Sequence, residues 1–596
     1  MDEMRGPDLA PLAREAHLLQ PVLERAQTNP DRVVAGYFED GALVDVTAKE
    51  FADRVMTMAK GLIASGVATG DRVAIMSHTR IEWPLFDYAI LAAGGVTVPI
   101  YETSSAEQVQ WILSDSEAVM LVVETAEMRA IYDSVADAAP LCREALVIDD
   151  GAAGELTTRG EHVDDDDLGA RIGRITIDDL ATIIYTSGTT GRPKGCVLTH
   201  GNLRTNVLQN LDALQSMLGE DERSLLFLPL AHSLAKIIML VGFEYGIDVV
   251  FATTIERLQQ ELPVAKPTMV VSVPRVFEKI FNAAEHKARA EHKGAIFEHS
   301  AKIATKWSTE QAEGHVHAWT NFEHTIYGKL VYAKLQEVFG GELRFAFSGG
   351  GPLGERLTHF YNGIGVKVFE GYGLTETSPT LTVNREDAWT PGTVGRPVAG
   401  TTIRIAPDGE ILAKGPQVFS GYWHNDLATA ETFDDEGWFK TGDIGVLDDD
   451  GFLRITGRKK ELIVTAAGKN VAPAPLEDRI RAHELVSQAV VVGDGKPFIA
   501  AMIAIDEEAF ADWAAHHAQP GLAVADLVDD PDLRAEIQKA VDEANLSVSH
   551  AEAIKRFVIL PHDLTIDAGE LTPTLKVRRA IVEKTYAHLI DALYNS

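Results

Sequence analysis

The stretch LATIIYTSGTTGRPKG, residues 180–195, joins an apolar β-type run to a loop carrying four hydroxyl side chains and three glycines. Backbone N–H groups and hydroxyls at that density can wrap around phosphate oxygens, with Arg192 or Lys194 supplying charge. The loop is nevertheless not a P-loop. That template requires Gly-Lys followed by Ser or Thr, whereas here Gly191 precedes Arg192 and Pro193, and Lys194 precedes Gly195. The stretch therefore points to a nucleotide site of a different build, placed where a buried strand ends.

Working outward, the same rhythm recurs. DRVAIMS, VTVPI, AVMLVVE, SLLFLPL, DVVFAT, TMVVSV, LRFAFS and VKVFEG are short apolar runs separated by helical patterns such as EWPLFDYAILAAG. Such alternation predicts βαβ units on a largely parallel, buried sheet. Ser105 with Gln108 three residues later predicts a capping box opening the helix over Val109, Ile112 and Leu113. Ligands of open α/β sheets bind at the carboxyl ends of strands, and the runs from LATIIY onward end in or lead into Gly, Ser, Thr or Pro. Residues 275–340 read as a helical insertion. After Pro391, TIRIAPDGEILAKG and DIGVLDDDGFLRITG read as hairpins turning at Asp-Gly. A smaller α+β unit with the hairpin SQAVVVGDGKPFIAAMIAI follows GRKKE. EHVDDDDLGARIG reads as an acidic surface loop without a function.

The expected architecture is thus α/β: layered sheets and a small β-barrel-like unit over residues 1–457, then a mobile α+β domain over residues 458–596. A chain of 596 residues with 46% apolar content can bury several cores. Its net charge of -34 argues against general affinity for nucleic acid or anionic membrane, so an anionic substrate must be held by local donors. Two cysteines, Cys142 and Cys196, exclude a disulfide framework and suit packing in a reducing compartment. MDEMRGPDLAPLAREAHLLQ lacks the basic start of a signal peptide, and no apolar run reaches the roughly 18 residues of a membrane span. The expectation is a soluble cytoplasmic protein. Peripheral membrane contact stays open, because an exposed apolar patch leaves little trace in a sequence.

The loop resembles the phosphate loop of the adenylate-forming superfamily, which includes acyl-CoA synthetases, nonribosomal-peptide adenylation domains and luciferases, and the superfamily's other motifs follow in order. The resemblance assigns Thr186, Ser187, Gly188, Thr189, Thr190, Gly191 and Lys194 to ATP phosphates. FSGGGPL resembles the adenine segment, with Gly350 and Gly351 admitting the base. EGYGLTET resembles the core motif: Glu370, Gly371, Tyr372 and Gly373 line ATP, Thr375 meets the α-phosphate, and Glu376 holds Mg2+, a hard cation suited to one carboxylate plus phosphate oxygens. Asp443 of WFKTGDIG and Arg458 of GRKKEL correspond to ribose contacts, Lys460 to the hinge, and Lys576 of TPTLKVRR to the catalytic lysine. On residue chemistry alone Glu376 also suits a helix start, Asp443 a turn cap and Lys576 a solvated helix end. TAAGKN resembles the thiol channel at Ala467 and Gly468, with Ala467 standing where members commonly carry Gly.

His232 matches a position that members place at the mouth of the acyl site; a core or surface histidine is the other reading. VPIYETSSAEQVQWILSDSEA and the helical insertion after VPRVFEKI resemble long-chain fatty acyl-CoA synthetases. An apolar tail buried against such an insertion gains about 0.8 kcal/mol per methylene. The resemblance implies a fatty acid, ATP and Mg2+ giving acyl-adenylate and pyrophosphate, then CoA giving acyl-CoA and AMP. A carrier protein in place of CoA, an aryl- or medium-chain acid, and a non-catalytic acyl-adenylate binder are the alternatives. Oligomeric state is not legible.

Overall fold

The computed structural model describes residues 1–186, 192–219, 221–466, 468–517, 519–572 and 575–595. Two sheets carry the expected parallel strands. The first has six strands, ordered Ala145–Val147, Ala118–Val123, Arg72–Met76, Val96–Ile100, Leu180–Thr186 and Lys194–Thr199; all are parallel except the last, which turns back as a hairpin. The second has nine strands, running from Arg396–Pro397 at one edge to Ala42–Thr47 at the other. Its parallel centre contains Asp248–Phe251, Arg223–Leu226, Met269–Ser272, Phe345–Ser348 and Lys367–Gly373. Strands buried on both faces need no alternation of polarity, which is why their sequences are continuous apolar runs.

Helices lie over these sheets and seal them. Glu82–Ala92 is buried on nearly every side, including Trp83, Phe86 and Tyr88, consistent with its uniformly apolar sequence. Ser105 accepts from Gln108 N and the Gln108 side chain answers from the other direction, so the predicted capping box is present. The insertion is helical throughout: Pro274–Ala290, Gly294–Ala312, Ala318–Tyr327, a wide π-type turn over Gly328–Tyr332, and Ala333–Val338. The acidic stretch expected to be a loop is instead a helix, Asp165–Ile172. Asp164 caps it by accepting from Asp166 N at 3.1 Å, and three aspartates occupy its first turn. Negative charge at that end complements the helix dipole, so a run that repels itself as coil is stabilised as a helix start.

The two hairpins after Pro391 form a five-stranded antiparallel sheet with an unforeseen edge strand, Glu3–Arg5, which pairs with Thr402–Ile405. Beyond it, Val486–Val492, Ile499–Ile505 and Ile554–Ile559 form a three-stranded sheet. Ala474–Arg481, Glu507–His516 and Pro531–Asn545 are its helices. The hydrophobic clusters on its two faces contain only residues from Ile463 onward. Charged pairs connect this unit to the insertion: Arg275 to Asp506 at 3.3 Å, Arg289 to Glu484 at 2.7 Å and His286 to Asp512 at 3.4 Å. Among the described residues no helix is long and apolar enough to cross a membrane.

Candidate active site

Strand ends of both large sheets and the last hairpin of the chain meet at one cleft. On the phosphate side, the stretch that opens the sequence reading is a β-hairpin with Thr186 opposite Lys194. Ser187, Gly188, Thr189, Thr190 and Gly191 lie outside the described residues, but the hairpin's flank is well defined. Trp111 donates its indole N–H to the Pro193 carbonyl at 2.9 Å while Arg192 lies 4.7 Å over the same ring. Lys194 Nζ lies 5.1 Å over Tyr422, whose hydroxyl donates to Glu376 Oε1 at 2.8 Å. Burial, and then the negative charge of Glu376, push the Tyr422 hydroxyl well above its ordinary value, so it remains a donor. Cys196, fully buried on the hairpin, bridges to Tyr422 through the backbone.

Glu376 and Thr375 sit in a single 3-10 turn, Thr375–Thr377, after the strand Lys367–Gly373. The Ser233 and Thr375 hydroxyls are 3.2 Å apart, which brings the start of the helix Ser233–Tyr245 to the core motif. His232 is the N-cap of that helix: its Nδ1 accepts from Leu234 N at 3.1 Å. Burial, reinforced by the positive charge of Lys576, lowers its pKa to about 3. The ring is therefore a neutral, half-buried wall of the cleft and does not act as an acid near neutral pH.

On the nucleoside side, adjacent strands place Asp443 opposite Arg458. One Asp443 oxygen takes the Tyr372 hydroxyl at 2.7 Å and the other faces Arg458 Nε at 3.2 Å. Burial raises the Asp443 pKa, while Arg458, Tyr372 and Lys576 oppose that shift. Glu370 turns away from the cleft and accepts from Leu353 N at 2.9 Å and the Thr358 hydroxyl at 3.1 Å; it holds the GGGPL segment against its strand. Gly371 and Gly373 continue the strand past it, and a side chain on Gly373 would overlap the Pro379 carbonyl.

Lys576 reaches this group from the C-terminal unit. Its strand-like segment is set by the Leu571–Val577 bridge and by Lys576 N donating to Thr572 Oγ1 at 3.0 Å. Gly350 has φ +82°, a conformation that favours glycine, and a methyl built on it would lie in ordinary contact 3.7 Å from Lys576 Nζ, so the lysine lies beside the GGGPL segment. Gly351 follows with open space on its cleft side except for Pro274. Lys576 is exposed as a residue, yet cleft walls surround its ammonium group. That desolvation, then the charge of Arg458, lowers its pKa to about 8 against the pull of Asp443. Among the described residues it makes no ion pair.

Lys460 is exposed in the 3-10 turn Lys459–Glu461. Its neighbour Lys459 is tied to Asp408 at 2.6 Å and Glu410 at 2.7 Å, fixing one side of the turn to the five-stranded sheet. Gly468 has φ +76° and closes a tight turn by donating to Thr465 O at 2.8 Å; Ala467 lies outside the described residues. Sequence reasoning missed Tyr422, Ser233 and Lys459, because their partners are set by chain crossovers. Among the described residues no group of three or more His, Cys, Asp or Glu could hold a metal. Glu376 stands as a single carboxylate with one oxygen engaged by Tyr422.

The fold and this constellation define an AMP-binding enzyme, and the chain belongs to that family: the AMP-binding enzyme profile matches residues 22–423 and the AMP-binding enzyme C-terminal domain matches residues 460–596. The chain is 52% identical over 578 residues to the long-chain-fatty-acid–CoA ligase FadD15 of Mycobacterium bovis, covering 96% of each protein, and 51% identical to its Mycobacterium tuberculosis counterpart over the same span. Among solved structures, the adenylation domain of a carboxylate reductase from Mycobacterium chelonae matches with a TM-score of 0.75 at 22% identity, covering 97% of this chain and 91% of that one. At that identity the likeness speaks for the fold alone.

Proposed function

We propose that the protein is a long-chain fatty acid:CoA ligase. A fatty acid carboxylate attacks the α-phosphorus of ATP, the bond to the β-phosphate oxygen breaks and pyrophosphate leaves. The CoA thiolate then attacks the carbonyl of the acyl-adenylate, and AMP leaves with the oxygen that linked it. The observation that carries this reading is the approach of Lys576 from the C-terminal unit to Gly350 and to the Asp443–Arg458 pair on adjacent strands. The first step brings two anions together, and a preorganised cation lowers its barrier most in a partly dehydrated cleft.

Lys576 supplies that cation beside the adenine segment. Thr375, held by Ser233, offers a hydroxyl to the α-phosphate, and Lys194 with the loop 186–191 holds the outer phosphates. Asp443 and Arg458 take the ribose hydroxyls, with Tyr372 against the base. Glu376 is the residue that would hold Mg2+: a lone carboxylate suits a cation that draws its other ligands from phosphate and water, and the ion would offset charge on the phosphate oxygens. Tyr422 keeps that carboxylate pointed. His232, neutral and fixed as a helix cap, walls the acyl side.

The mobile-domain division at residues 457 and 458 is part of the proposal. Its support is that the small unit has its own hydrophobic clusters and meets the insertion through charged pairs, several of them partly open to water. Contacts of that kind separate at low cost. Lys460 would then pivot on a turn whose near side Lys459 anchors, and Gly468 would border the thiol path. The test is pyrophosphate release from ATP, Mg2+ and palmitate, followed by addition of CoA. Palmitoyl-CoA with AMP is expected. Adenylate that accumulates unchanged on adding CoA, but is consumed by an acyl-carrier protein, would overturn the choice of CoA.

A further inference from the structure

The segment SSAEQVQWILSDSEA resembles long-chain synthetases in sequence, and in the fold its helix lies against the phosphate hairpin. Ser105 caps the helix Ala106–Asp115, which sets Trp111 and Asp115 one turn apart on a single face. Each meets a different arm of the hairpin. On the outgoing arm Asp115 Oδ2 accepts the Tyr185 hydroxyl at 2.6 Å; on the returning arm Trp111 donates its indole N–H to the Pro193 carbonyl at 2.9 Å. Burial, then the hydrogen bond to Asp115, push the Tyr185 hydroxyl far above its ordinary value, so it stays a donor. The described ladder of the hairpin ends with Thr186 opposite Lys194, and Trp111 takes hold one residue beyond it. Trp423 adds two more ties: its backbone N–H donates to Gly195 O at 2.8 Å and its indole N–H to Asp115 O at 2.9 Å. The residue before it, Tyr422, holds Glu376 and lies under Lys194. Helix, returning arm and carboxylate are thereby joined in one frame.

That frame bears on the nucleotide. The two cations of the hairpin, Arg192 and Lys194, flank Pro193, and the Arg192 guanidinium lies 4.7 Å over the Trp111 ring. A cation held in place before its ligand arrives binds phosphate without first being ordered. We propose that Trp111 is a positioning residue for ATP: by holding the Pro193 carbonyl and seating Arg192, it preorganises the returning arm for the phosphates beyond the α-phosphate. The inference rests on the ligase reading of the hairpin and deepens it, because a segment that resembles a mark of the acyl substrate is assigned to the nucleotide. AMP, which lacks those outer phosphates, does not draw on the brace.

The test is calorimetric titration of the full chain with α,β-methylene-ATP and Mg2+, and separately with AMP. Wild type is expected to bind both. Trp111→Leu is expected to bind the ATP analogue about tenfold more weakly and AMP as wild type does. Trp111→Phe keeps the packing and the ring beneath Arg192 but loses the donor, and is expected to weaken analogue binding about threefold. In steady state KM for ATP should rise by the same factors, with KM for palmitate and the preference among acids of graded length unchanged. A Trp111→Phe protein that binds the analogue like wild type overturns the assignment. So does a Trp111→Leu protein that loses AMP by the same factor as the analogue, because the side chain would then only support packing. A shift in acid preference with KM for ATP unmoved also overturns it, since the segment would then serve the acyl site. Wild type that binds neither nucleotide overturns the ligase reading itself, and the brace with it.

Discussion

Two lysines, Lys236 and Lys576, lie in regions built on opposite principles. Lys236, on the helix Ser233–Tyr245, is 1% exposed; its Nζ meets Asp87 at 2.6 Å and lies 5.3 Å from the Trp83 ring. Asp87 is fully buried, with its second oxygen unpartnered among the described residues. Lys576 lies in an open cleft, makes no ion pair among the described residues, and has Arg458 close enough to lower its pKa. A buried charge persists only when paired, so the Lys236 charge is compensated within the chain. The Lys576 ammonium, beside the Arg458 guanidinium and with Asp443 as the nearby carboxylate acting on it, is left without a direct ion pair among the described residues. One lysine is compensated by the structure and the other, on the proposed reading, by a ligand, and neither role is visible in residue type.

That contrast breaks most easily at Asp87. Asp87→Ala leaves Lys236 buried without a partner and is expected to cost about 3–5 kcal/mol in stability, read by chemical denaturation of the full chain. Asp87→Leu combined with Lys236→Met is expected to recover most of that loss. If the double variant were no better than the single, the pair would be contributing something other than compensation. Lys576→Ala is expected to do the reverse: stability unchanged, but ATP–pyrophosphate exchange down by about 10²–10³. Thioester formation from supplied acyl-adenylate should proceed as before, and equal loss of both half-reactions would remove the assignment of Lys576 to the first.

A finer test uses pH. The proposed role of Lys576 requires its protonated form, and its pKa is lowered to about 8. Exchange is therefore expected to fall as pH rises through about 8, approaching tenfold per pH unit beyond it, whereas a lysine of ordinary pKa would hold its rate to about pH 10. Lys576→Arg should abolish that limb, since guanidinium stays charged; a limb that survives belongs to another group. The smallest effect is expected at the charged contact between the insertion and the C-terminal unit. Arg289, 47% exposed, pairs with Glu484, and Arg289→Ala should change stability by about 0.2–1 kcal/mol while slowing exchange relative to thioester formation. A rise in that relative rate would mean that the contact opposes the adenylating arrangement.

Much of this was readable in advance. Continuous apolar runs such as TMVVSV and VKVFEG, short, rich in valine and bounded by Pro or Gly, read as strands sealed on both sides, and the Ser105–Gln108 box announces its helix. Thr186, Tyr372 and Arg458 fall at strand ends, where periodicity changes, and Asp443 lies across from Arg458 on the adjacent strand. What stayed hidden was lateral. Tyr422 lies 46 residues from Glu376, Lys459 49 from Glu410, and Ser233 142 from Thr375, so no spacing rule connects them; the sheet order does. The acidic run before the first hairpin was misread because its charge suggests solvated coil, while Asp164 and the helix dipole make it a helix start.

The edge strand Glu3–Arg5 finds its partner only at Thr402–Ile405. At cellular synthesis rates of about 5–20 residues per second, the ribosome needs roughly 20–80 s to bring out that partner. Throughout that interval Glu3–Arg5 trails from the nascent chain with its pairing groups facing water or a chaperone. Closing the five-stranded sheet is therefore a late event in biogenesis, and a fusion tag placed ahead of Glu3 would burden that closure before it touched any chemistry.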